Sequence, residues 1–189
     1  MQQQRRITWT QPPEPDALDA LFELEELEAQ SNPSRAARDE IERLRGQLGT
    51  VEVEEWRITL HTLSVIDKSR YFALVRTVEP WLDEMYPSTD GETNPERSTL
   101  TITAYRAALV LASIGSMERR RRGVLDGDSR DGWEACSIPA EWATVAGYLG
   151  STPTALHDAL AMASDALNPQ VMLRGTTEQA KKFGGVSGS

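Results

Sequence analysis

The chain has 189 residues, 39% of them hydrophobic and 26% charged, which fits one globular domain able to bury roughly 70% of its unfolded surface. A formal net charge of −9 works against general affinity for nucleic acid, which depends on clustered Lys and Arg, and the apolar stretch 107–114 is far too short to span a bilayer. The single cysteine, Cys136, allows no disulfide within these residues and has no companion thiols for a zinc site.

Residues 1–15 read as an N-terminal arm. Ile7-Thr8-Trp9-Thr10 alternates like a short strand, and Pro12-Pro13 halts regular structure. The two arginines near the start have no apolar block behind them, so no secretory signal is expected and a cytoplasmic protein is. Residues 16–170 are expected to form one helical domain, beginning with an acidic αα-hairpin at 16–49. Its first helix places Leu18, Leu21, Phe22, Leu24 and Leu27 among acids, with Asp16 as the capping residue. Its second repeats Ala37, Ile41, Leu44 and Leu48 at spacings of four and three before Gly49. Residues 14–55 hold thirteen acids against four arginines, a negative face that keeps a protein soluble or meets a basic partner.

From Thr50 to Val65 the β-branched and aromatic content allows either a strand or the lead-in to a helix, and periodicity does not arbitrate. Central helices are expected over 67–117. The first follows a cap at Asp67-Lys68-Ser69 and carries a wide apolar face of Tyr71, Phe72, Leu74, Val75, Val78, Trp81, Leu82 and Met85, with Pro80 as a kink. The segment 87–98 is a loop by composition and the expected hinge. Leu100–Ile114 is apolar nearly all round and reads as the central buried helix. Arg119, Arg120, Arg121 and Arg122 then form a basic patch that would complement the negative end of that helix's dipole.

A C-terminal helical hairpin is expected at 132–169. Trp133 and Trp142 bracket its entry, Pro139–Leu149 makes one helix ended by Gly150, and Ser151-Thr152-Pro153 starts a second carrying Leu156, Leu160, Ala163 and Leu167. Residues 171–189 lack an apolar stripe and read as a mobile tail. The fold class expected is therefore mainly α, with any β-structure confined to the arm and residues 50–65.

No catalytic constellation stands out. His61 and His157 are far apart in sequence and outside any nucleophile or metal motif, and Cys136 between Ala and Ser fits packing better than a thiol–imidazole pair. Asp126, Asp128 and Asp131 have the wrong pattern for a calcium loop, because Arg130 stands at the fifth place and Ser137, not Glu, at the twelfth. No cofactor is expected, nor an enzyme. The arginine run suits dipole complement or an acidic partner better than nucleic acid.

An acidic helical N-terminal part, a helical middle ending in a basic loop, a Trp133-to-Pro139 entry into two Ala/Leu helices closing at Leu167-Asn168-Pro169, and an irregular tail together resemble the tail assembly chaperones of long-tailed bacteriophages. In that family a programmed −1 ribosomal slip yields a minor longer product. Ala180-Lys181-Lys182 can encode the required slippery heptamer, and in a chain with seventeen arginines two of the three lysines are adjacent there. The resemblance implies a non-enzymatic protein of the host cytoplasm that binds the tape-measure protein and helps recruit tail-tube subunits. Amphipathic Ala, Leu and Met surfaces suit holding a partner helix, and the partner-binding residues expected are Leu156, Leu160, Met162, Ala163 and Leu167. The rival readings are a virion structural component such as a head–tail joining protein, and a nucleic-acid-binding regulator using Arg119–Arg122.

Overall fold

The computed structural model describes residues 3–87, 95–125 and 132–171. The expected hinge over 87–98 lies largely outside these residues, as do Asp126, Asp128 and Asp131 and the tail from 172 onward, with Lys181 and Lys182. The fold is mixed α/β, which corrects the mainly helical expectation: six α-helices accompany a four-stranded antiparallel sheet of order β1-β2-β3-β4 among the described residues. The strands are β1 (Gln4–Thr10), β2 (Glu52–His61), β3 (Ile114–Gly123) and β4 (Glu134–Cys136). The helices are α1 (Pro15–Glu28), α2 (Arg35–Leu48), α3 (Val65–Met85), α4 (Pro95–Ser113), α5 (Val145–Ser151) and α6 (Thr154–Leu167). None of them is long and apolar enough to cross a membrane.

The chain divides into two compact units. The smaller comprises 8–57 and 117–136. In it α1 and α2 form the expected acidic hairpin, closed on Ala17, Ala20, Leu24, Leu44 and Leu48, with Leu21, Leu27, Ile41, Val51 and Leu125 packed around them. Pro15 opens α1 at a position where its missing N–H costs nothing, so Asp16 is a first-turn acid and not the cap. Ser34 caps α2 by accepting from Ala37 N at 3.1 Å. The Arg45–Glu28 pair at 2.8 Å ties the two helices on the exposed side, worth about 0.2–1 kcal/mol.

The larger unit comprises 1–7, 58–116 and 137–189. Its centre is α4, whose Ala104 and Ala107–Ser113 are all buried, as the apolar run predicts. Around it lie Tyr71, Val78 and Leu82 of α3, Tyr148 of α5, and Leu156, Leu160 and Ala163 of α6. Ser64, not Asp67, is the α3 cap; Asp67 is its partner in a capping box, accepting from Ser64 N at 2.9 Å. Pro80 lies inside α3 as expected.

The segment expected as one helix over Pro139–Leu149 is broken. A 3-10 turn at Ala140–Ala143 stops at Thr144, which takes extended dihedrals and caps α5 through Gly147 N at 3.0 Å. Gly150 does not end α5, which runs to Ser151. Asn168 does more than stop α6. Its Oδ1 accepts from Leu63 N at 2.8 Å, while its Nδ2 donates to Ser113 Oγ at 3.3 Å and Ser164 O at 3.1 Å, so one buried amide ties the entry to α3, the end of α4 and the last turn of α6 together.

In β2 the buried side changes face along the strand. Val53 and Glu55 are buried in the first half, Ile58 and Leu60 in the second. Helix α4 passes into β3 with no intervening turn, and a Cβ at Gly115 would stand 2.9 Å from His61 Nδ1, so only glycine fits there without displacing the ring.

Candidate functional site

The basic patch is a strand, not a helix terminus. Extended backbone sends alternate side chains to opposite faces, and here the alternation sorts the four arginines by exposure. Arg119 and Arg121 are exposed; Arg120 and Arg122 are half-buried and turn toward one acid, Glu55.

Glu55 organises that half-buried side. Only 8% exposed, it accepts from Arg120 Nε and from Thr10 Oγ1 at 3.3 Å, and Arg122 Nε lies 3.8 Å from its other oxygen. Beside it the Arg57 guanidinium stands 3.7 Å from the centre of the Trp133 ring and that of Arg120 stands 4.5 Å away, so one indole carries two cations. Glu118 Oε2 lies 3.5 Å from Arg57 Nη1. Trp133, expected as an anchor of the C-terminal hairpin, is instead the floor of this arginine cluster. Against three cations stand two carboxylates, so most of the charge is consumed within the sheet.

The exposed side is built differently. Arg119 lies 3.9 Å from Glu54 and is registered opposite Glu134 of β4. Together with Arg120, Arg121 and Gly132 they line a polar recess of about 190 Å³. Arg121 has no acid partner among the described residues.

Among the described residues, the cysteine and the two histidines weighed in the sequence are each held by burial or a polar neighbour. Cys136 sits among Arg119, Glu54 and Glu118, and burial pushes its thiol up, the wrong direction for a nucleophile. His157 is buried, its Nδ1 lying 3.2 Å from the Tyr148 hydroxyl, and burial lowers the imidazole pKa while raising that of the phenol. His61 Nε2 is 3.2 Å from Asp67, whose carboxyl is held low chiefly by the Ser64 hydroxyl of the capping box. Among the described residues no three His, Cys, Asp or Glu side chains gather to hold a metal.

The expected partner-binding set divides by burial. Leu156 and Leu160 are fully buried and Ala163 nearly so, because their stripe packs inward on the larger unit; they serve its core and not a docking face. Met162 is 74% exposed and Leu167 half-buried. Phe22 of α1, expected in that helix's apolar stripe, lies outside the hairpin core and stands 58% exposed. Glu55 and Arg57 escaped the sequence reading; the signal available was an acid pair, Glu54-Glu55, matched by a basic run some sixty residues on.

No protein-family model, curated protein or solved structure matches this chain.

Proposed function

We propose that this chain is a non-enzymatic, protein-binding assembly factor of the tail assembly chaperone kind, which holds a tape-measure protein in soluble form and helps recruit tail-tube subunits. The observation that carries the reading is the composition of α1. Between Glu14 and Glu28 the chain has seven acids and no base, and in their midst Phe22 is exposed. An apolar side chain ringed by carboxylates suits an amphipathic helix with a basic rim, because the aromatic ring anchors while the acids steer and select. The adjacent lysines at 181 and 182 support the same reading.

The nucleic-acid alternative is weakened by the arginine cluster itself. Two of its four members are engaged with Glu55, and the exposed pair shares its recess with Glu54 and Glu134.

A tape-measure gene is expected beside this one, and co-expression of the two proteins tests the proposal. The two are expected to co-purify at low salt, with capture falling as salt rises. Phe22→Ser combined with Glu23→Gln and Glu26→Gln should abolish capture while leaving the far-ultraviolet circular dichroism unchanged, since all three side chains are exposed. Capture that survives this triple change, or no capture by the unaltered chain, overturns the reading.

A further inference from the structure

Strand β1 ends the sheet on its side, and its pattern fits one particular neighbour. Gln11 N donates to Glu54 O and Gln3 O accepts from Thr62 N, both at 2.9 Å, so the odd-numbered residues of β1 turn their backbone groups toward β2. The N–H and C=O groups of Gln4, Arg6, Thr8 and Thr10 therefore point outward. Among the described residues no strand lies beyond β1, and Gln4, Arg5, Arg6 and Thr8 are exposed. The opposite edge is different in kind: β4 is only three residues long, the short edge by which sheets avoid unwanted pairing.

We infer that β1 pairs with β1 of a second copy of this chain, antiparallel about a twofold axis at Ile7, joining two four-stranded sheets into one of eight strands. The register follows from three constraints. Outward-facing residues must pair with outward-facing residues, which requires even opposite even. The overlap must be longest, which sets Gln4 opposite Thr10 and Arg6 opposite Thr8. Like charges must not meet, and shifting the axis to Arg6 fails because it sets Arg6 against its own copy. With the axis at Ile7, each Arg5 stands across from the partner's Trp9 in a close, non-hydrogen-bonded pair, where a guanidinium reaches an indole face. Trp9 is already braced edge-on by Trp56 at 6.0 Å, so the ring is positioned before the partner arrives. A strand whose own sequence supplies both halves of every cross-strand pair is what an isologous interface requires.

This pairing is independent of the tail-assembly reading. Sedimentation or light scattering of the purified chain across the micromolar range is expected to give about twice the 21.0 kDa chain mass. Thr8→Pro removes an outward N–H without touching the β2 ladder, a position where an edge strand tolerates proline, and should return the mass to one chain with unaltered circular dichroism. Should that variant fail to fold, Ile7→Cys in a Cys136→Ser background decides: the facing Cα atoms of a non-hydrogen-bonded pair lie within disulfide reach, so mild oxidation should give a covalent dimer. A monomeric wild type, a folded Thr8→Pro chain that stays dimeric, or an Ile7→Cys chain that does not cross-link overturns the inference.

Discussion

Burial of a titratable ring makes the larger unit sensitive to mild acid. His157 is 8% exposed with the Tyr148 hydroxyl on its Nδ1, and desolvation holds its pKa below the ordinary 6.5; Asp158 and Asp165 oppose that shift and Arg106 adds to it. The unfolded chain therefore binds more protons than the folded one between the depressed value and 6.5, and stability present above about 6.5 drains away as pH falls through that window. Between about pH 7.5 and about pH 5.5 the urea midpoint of the wild type is expected to drop, and in His157→Gln to drop by less, because the substituted amide does not titrate. Asp165 works in the opposite sense. Its carboxyl is raised by burial, so it is destabilising when ionised, and because it is present in both proteins the comparison of wild type with His157→Gln isolates the imidazole. Equal pH slopes in the two proteins would show that His157 contributes nothing.

Helices with a single apolar face announced themselves, whereas of the strands only part of β1 was legible, β2 stood as one of two alternatives, and β3 and β4 were missed. The stripes of α1, α2 and α6 and the all-round apolarity of α4 each have one period over several turns, so they were legible in sequence. In β2 the buried side changes between Glu55 and Ile58, leaving two short runs of period two in opposite phase that cancel in any window. The error over β3 has another cause. Met and Arg are good helix formers and no turn residue separates Ser113 from Ile114, so propensity prolonged α4 into what long-range pairing makes a strand. The arginine cluster was visible as a cluster, yet its meaning rests on Glu55, sixty-five residues from Arg120, which local pattern cannot reveal. Two glycines of α5 test the local account in opposite directions. At Gly147 a Cβ would collide with the Glu141 carbonyl oxygen, a backbone atom within the 3-10 turn, so Gly147→Ala should cost about 1–3 kcal/mol. Gly150 is exposed, inside the helix, with nothing near the position of a Cβ, so Gly150→Ala should be neutral or stabilising by up to about 1 kcal/mol. Thermal melts of the two variants read the contrast, and a loss at Gly150 would restore it as the helix stop expected from sequence.

The chain as a whole carries an excess of nine acids, concentrated toward an N-terminal hairpin, and closes with a segment of different composition in which two of its three lysines stand together. A generic acidic helical protein accounts for the first property and not the second, so the tail is where the assembly-chaperone proposal is most exposed to test. If 176–189 serve translation and not folding, deleting them should leave the thermal midpoint unchanged. The message is expected to matter where the residues do not. Synonymous recoding of Lys181 and Lys182, chosen to prevent slippage, preserves this protein residue for residue while removing any extended form, and in an infection it should reduce the number of assembled tails. Mass spectrometry of infected cells should find a minor longer product that shares this N-terminus and disappears on recoding. Codons at Ala180-Lys181-Lys182 that cannot slip, or tails assembled in normal number after recoding, would detach this chain from that family's mode of expression and leave the acidic α1 surface to define its function by itself.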